Sequence, residues 1–158
     1  MLRVARANDE ETIAVLWRHA WASANPQASH LEPHEYWLAR VRAEFAPPIH
    51  TMVYETDASG ILAFMVLDVR DAYLHQLFVQ PGVHRRGIGS ELVRYICLLC
   101  PTGWSLHVAS SNAGARRFYE HHGLVKGVVS LNPSTSRERV AYHWQPLATS
   151  VHGDITLV

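Results

Sequence analysis

The stretch Val79-Gln80-Pro81-Gly82-Val83-His84-Arg85-Arg86-Gly87-Ile88-Gly89-Ser90 constrains this chain more than any other. It joins a strand-like run, Tyr73 to Val79, to a helix-like run, Ile88 to Cys100. Such a junction turns several backbone N–H groups toward one point at a helix N-terminus, where the helix dipole favours an anion. Gly87 and Gly89 carry no Cβ, so a phosphate can approach their backbone closely. Arg85 and Arg86 add charge at the same place and are candidates to pair with phosphates. The expectation is a phosphate-bearing ligand held at this junction.

The flanking pattern supplies the rest of a fold. Leu2 to Ala7 alternates weakly and reads as a first strand. Asn8 and Asp9 offer an N-cap, and Ile13, Leu16, Trp17, Ala20 and Ala24 follow at helical spacing, which predicts a helix over Asp9 to Ala24. Pro33 opens a second helix with Trp37, Leu38, Val41 and Phe45 as its apolar stripe, and Pro47-Pro48 closes it. Ile49 to Thr56 and Ile61 to Asp68 read as a hairpin around Asp57-Ala58-Ser59-Gly60, and Tyr73 to Val79 as the third strand of a meander. After the junction helix, Pro101-Thr102-Gly103 breaks the chain and Trp104 to Ala109 reads as a strand. Asn112 caps a helix ending at His122, with Gly123 as its stop. Leu124 to Leu131 and Arg139 to Gln145 are the last two strands. The class is α+β, with helices packed on a mixed sheet.

Length and charge narrow the function. A chain of 158 residues predicts a single domain, placed at residues 1–146 with a tail over 147–158. Fourteen basic and fourteen acidic residues balance, which gives no electrostatic case for nucleic acid or for an anionic membrane surface. No apolar run reaches the roughly 18 residues of a membrane span, and the N-terminus lacks a basic-then-apolar signal, so the expectation is a cytoplasmic protein. Cys97 and Cys100 sit near a helix end, where no dipole activates them, and read as ordinary thiols; no metal is expected.

The order of elements and two motifs resemble the GCN5-related N-acetyltransferases, the GNAT family. One motif is Val79-Gln80-Pro81 followed by His84-Arg85-Arg86-Gly87-Ile88-Gly89, with His84 where the family prefers Gln or Arg. The other is Asn112-Ala113-Gly114-Ala115-Arg116-Arg117-Phe118-Tyr119 followed by Gly123-Leu124, with Leu124 in place of the usual aromatic. The resemblance implies a mostly antiparallel seven-stranded sheet flanked by about four helices. It implies acetyl-CoA as co-substrate and transfer of its acetyl group to a primary amine of a small molecule or peptide. It also implies that Arg85, Arg86, Gly87, Ile88, Gly89 and Ser90 hold the pyrophosphate. The backbone of Leu77, Phe78 and Val79 would pair with the pantetheine arm, Asn112 would contact the same arm, and Tyr119 would protonate the departing thiolate. A β-bulge in the Tyr73–Val79 strand and a possible homodimer belong to the same expectation.

The amine must lose a proton before it attacks, because an alkylammonium has a pKa near 10. The strand Tyr73 to Val79 contains no Glu but does contain His75. It resembles the matching strand of the arylalkylamine N-acetyltransferases, whose two His residues, one residue apart, act as base through water. His75 falls at the second of these and Tyr73 at the first, so His75 is the candidate base or relay. Glu32, His34 and Glu35 are weaker alternatives. Trp17, Trp21, Tyr36 and Trp37 read as buried helix stripes, with an acceptor wall as the other reading. The competing functions are a non-catalytic acyl-CoA-binding module and a dinucleotide oxidoreductase. The second fails because the glycines do not read G-x-G-x-x-G and no βαβ unit precedes them.

Overall fold

The computed structural model describes residues 1–83 and 86–147. His84, Arg85 and the tail from residue 148 onward, all part of the expectations above, lie outside the described residues.

Seven strands form one sheet: β1 (Leu2–Val4), β2 (His50–Thr56), β3 (Gly60–Asp68), β4 (Tyr73–Val79), β5 (Trp104–Ala109), β6 (Val125–Leu131) and β7 (Glu138–Trp144). Their order is β1-β2-β3-β4-β5-β7-β6, antiparallel everywhere except β4 against β5. Four α-helices flank it: α1 (Glu10–Ala24), α2 (His34–Glu44), α3 (Ile88–Leu99) and α4 (Ala113–His121). Period-2 burial is clearest in β5, where Trp104, Leu106 and Val108 are buried and Ser105, His107 and Ala109 are not.

Two cores sit on opposite faces. On one, α1 and α2 bury Ile13, Leu16, Trp17, Trp37 and Val41 against Val53, Phe64 and Val66. The tryptophans are therefore core: Trp17 and Trp37 lie edge to face at 5.0 Å, and Arg40 stacks over Trp17 at 4.6 Å. On the other face, α3 and α4 bury Ile88, Leu92, Ile96 and Tyr119 against Met65, Leu67, Leu106 and Tyr142. Leu124 packs there too, at 4% exposure, so an aliphatic side chain fills the place of the expected aromatic.

The N-terminus corrects one expectation. The first strand stops at Val4, and Ala7–Asp9 forms a 3-10 turn before α1. Asp9 does not cap α1 with its side chain. Its carboxylate instead accepts from the Arg6 amide at 2.7 Å and from the Arg3 guanidinium at 2.7 and 3.0 Å. Arg3 also reaches Glu55 on β2, so Asp9 ties the chain start to the sheet.

Candidate active site

The parallel pair β4–β5 is where the sheet opens. Only Tyr73 and Ser105 are in register, and the Ser105 amide donates to the Ala72 carbonyl at 3.0 Å. Beyond that point the two strands part. One cause lies in β4: Val66 faces Gln76 while Leu67 faces Leu74, so His75 is an extra residue in the ladder. Such a bulge bends its strand and increases the twist.

Parting leaves one backbone edge bare. The Gln80 amide donates to the Leu62 carbonyl at 2.7 Å, which makes Gln80 a hydrogen-bonded partner of β3. Groups alternate along an antiparallel strand, so the Phe78 backbone also faces β3. Leu77 and Val79 then aim their N–H and C=O groups the other way, into the gap beside β5. The Phe78 ring stacks on Phe64 at 5.9 Å on the α1–α2 face. Of the three expected strand residues, two present backbone to the gap and Phe78 does not.

The edge leads to the start of α3. Gly87 is the N-cap with φ +78°, a conformation glycine adopts without the strain of a Cβ. The Glu91 amide bonds back to the Gly87 carbonyl at 3.0 Å, so the amides of Ile88, Gly89 and Ser90 precede the helical ladder and have no partner within it. Gly89 serves packing as well: an added Cβ would lie 3.0 Å from Cε2 and Cζ of Phe118 on α4. The Ser90 hydroxyl meets His122 Nε2 at 3.1 Å, a second tie between the two helices. Arg86 is exposed beside this cap.

Helix α4 supplies the expected Asn and Tyr. Asn112 is its N-cap, with Oδ1 accepting from the Ala115 amide at 3.1 Å. Tyr119 is 6% exposed, in the same core as Ile88, with Leu77 and Val79 packed against that cluster. Among the described residues its hydroxyl has no hydrogen-bond partner. Burial holds its pKa well above that of an ordinary phenol, so it stays a proton donor throughout the neutral range. Tyr142 of β7 braces α4 by donating to Glu120 at 2.8 Å and accepting from Arg116 at 3.2 Å.

At the apex of the gap the structure adds a residue that sequence reasoning missed. The Tyr73 hydroxyl lies 2.6 Å from Nδ1 of His107 on β5. His75, exposed on the bulge, packs edge to face on the Tyr73 ring at 4.9 Å. The alternation of β5 already puts His107 on the face away from its core; only the Tyr73 partner was hidden, because it lies across a parallel crossover. His34 is engaged elsewhere, 2.7 Å from Glu11 on α1. A cavity of about 390 Å³ lies between the α1–α2 loop, Ser111 at the end of β5 and Arg137 of the β6–β7 loop. Among the described residues no group of His, Cys, Asp and Glu is placed to hold a metal ion, and no helix is long and apolar enough to cross a membrane.

A family model described as the acetyltransferase (GNAT) family matches residues 13–124. The chain belongs to the GNAT family. It is 34% identical over 120 residues to a mycothiol acetyltransferase of Beutenbergia cavernae, across 67% of this chain and 40% of that protein. This GNAT chain therefore spans well under half the length of that relative. It is 28% identical over 123 residues to the peptidyl-lysine N-acetyltransferase YjaB of Salmonella typhimurium, across 78% and 81% of the two chains. The crystal structure of the PaiA N-acetyltransferase of Thermoplasma acidophilum in complex with coenzyme A superimposes with a TM-score of 0.67 at 17% identity, covering 91% of this chain and 98% of that one. At that identity the likeness concerns the fold. It is the GNAT fold that this chain shares.

Proposed function

We propose that the protein transfers the acetyl group of acetyl-CoA to a primary amine of a small molecule or peptide, by direct attack within one ternary complex. The observation that carries this reading is the bare edge of β4 at Leu77 and Val79 together with the amides of Ile88, Gly89 and Ser90, which precede the helical ladder of α3 and have no backbone partner among the described residues. A strand edge pairs with an amide-containing arm, and a helix N-terminus accepts a pyrophosphate. The residues present thus fit acetyl-CoA, which supplies an activated acyl group as a thioester. The names of two relatives, a mycothiol acetyltransferase and a peptidyl-lysine N-acetyltransferase, support acetyl transfer and leave both kinds of acceptor open.

Each residue then has a task. Leu77 and Val79 hold the pantetheine arm, and their amides stand where a thioester carbonyl would gain negative charge during attack. Ile88, Gly89 and Ser90 bind the pyrophosphate, and the exposed Arg86 pairs with a phosphate, a role the sequence also offers to Arg85. Asn112 contacts the arm from the start of α4. Tyr119 gives its proton to the departing sulfur, a role that suits a buried phenol kept protonated. His75, exposed on the bulge, serves as a relay that passes protons to water. The cavity beside Ser111 and Arg137 receives the acceptor. Cys97 and Cys100 lie at the far end of α3, so no acetyl-enzyme is formed on them.

The test is Tyr119→Phe. Its kcat, followed as thiol release, should fall about 100-fold or more while the Kd for acetyl-CoA changes less than about 3-fold. Unchanged kcat would remove Tyr119 as the acid.

A further inference from the structure

We propose that His107 accepts the proton of the attacking ammonium and that Tyr73 is the positioning residue that fixes its ring. This rests on the acetyltransferase reading above.

Three observations support His107 as the acceptor of that proton. It lies on the wall of the gap opposite the bare edge of Leu77 and Val79, just beyond the single register pair that closes the apex. It shares the non-core face of β5 with Ser105 and Ala109. That face points to the side of the sheet that carries α1 and α2, whose connecting loop walls the acceptor cavity. The same cavity is lined by Ser111, two residues past the end of β5.

The ring is tied at one nitrogen and free at the other. Nδ1 is engaged by Tyr73 at 2.6 Å, and among the described residues Nε2 has no hydrogen-bond partner. In the tautomer this chemistry needs, Nδ1–H donates to the Tyr73 oxygen and Nε2 keeps its lone pair. The proton then passes from R–NH3+ to Nε2, giving R–NH2 and an imidazolium still bonded to Tyr73. That proton leaves to water. As the C–N bond forms and the C–S bond breaks, the nitrogen releases its second proton to water, Tyr119 gives its proton to the departing sulfur, and the resulting phenolate regains a proton from solvent.

The charged and titratable groups around His107 are Tyr73 and, through it, His75 on β4, with Arg139 and His143 on β7. Burial, Arg139 and His143 all hold the His107 pKa below that of a free imidazole, and Tyr73 sits above its ordinary range through burial. His107 is therefore neutral, and able to accept a proton, across the neutral range.

The experiment has two arms on the full chain. Long-range 1H–15N NMR of the ligand-free protein should show His107 as the Nδ1–H tautomer, titrating at lower pH than a free imidazole. Tyr73→Phe should abolish that tautomer preference and move the midpoint. In the second arm, the acidic limb of the kcat/KM profile should fall at the NMR midpoint of His107. It should move with that midpoint in Tyr73→Phe and vanish in His107→Gln, with a loss of about 100-fold or more at neutral pH. Unchanged thermal unfolding of His107→Gln would confirm an intact fold. A limb that persists in His107→Gln, or that disappears in His75→Gln instead, overturns the proposal, as does an Nε2–H tautomer. If the wild-type protein releases no thiol with any amine, the acetyltransferase reading fails, and the NMR arm alone decides whether Tyr73 fixes His107.

Discussion

Replacing Gly89 by alanine sets two effects of similar size against each other. Gly→Ala inside a helix usually stabilises by about 0.5–1 kcal/mol, because the unfolded chain loses less freedom. Here the new Cβ would stand 3.0 Å from both Cε2 and Cζ of Phe118. Carbon contacts settle near 3.5–4.0 Å, so the ring must retreat by roughly half an ångström. It has little room: Phe118 lies edge to face on Tyr119 at 5.1 Å and on His122 at 4.6 Å. Overpacking of this kind costs about 1–3 kcal/mol. The clash wins, and Gly89→Ala should lose about 1 kcal/mol, lowering Tm by about 2–4 °C in a chain of this size. In a Phe118→Leu background the obstruction is gone, and the same change should be neutral or stabilising. Thermal and urea unfolding of the four proteins of this cycle gives the coupling directly, expected at about 1–2 kcal/mol. A Gly89→Ala protein as stable as wild type, or an equal effect in both backgrounds, would refute the claim that the approach of α3 to α4 requires glycine.

Asn112→Ala should cost about 1 kcal/mol by removing the cap on the Ala115 amide, and Asn112→Asp should recover that stability in the same unfolding assay. If the Asn112 amide N–H also contacts acetyl-CoA, Asn112→Asp will remain stable yet bind the donor more weakly. Asp9→Asn should destabilise by about 1–2 kcal/mol at neutral pH, since it breaks two charge-assisted bonds to Arg3. Arg3 holds the Asp9 carboxyl below the usual carboxylate range, so its contribution is present above the unfolded pKa, about 3.9, and is lost as the pH falls through the lower folded value. The difference between the two proteins, read from urea unfolding, should therefore shrink toward zero in strong acid.

Most of the sheet and the helix starts that frame the candidate site were legible because their signals are local. A strand, a turn and a capped helix are each written within a few residues, so β4, β5, the glycine junction before α3 and the Asn112 cap could be read before any contact was known. What stayed hidden depends on residues far apart in the chain. The Tyr73–His107 pair spans 34 positions and needs the parallel crossover to bring β4 beside β5. The contact of Gly89 with Phe118 needs the packing of two helices that share no sequence signal. Asp9 looked like a helix cap because nothing local announces Arg3 and Glu55 as a competing network. The bulge at His75 was expected from family resemblance alone, since its register shift shows only against β3.

The central claim, that the bare β4 edge and the α3 N-terminus together hold acetyl-CoA, is tested most directly by calorimetric titration of the full chain with acetyl-CoA, with NAD as control. The account predicts saturable micromolar binding of acetyl-CoA and none of NAD. Absence of acetyl-CoA binding, or equal binding of both ligands, would contradict it.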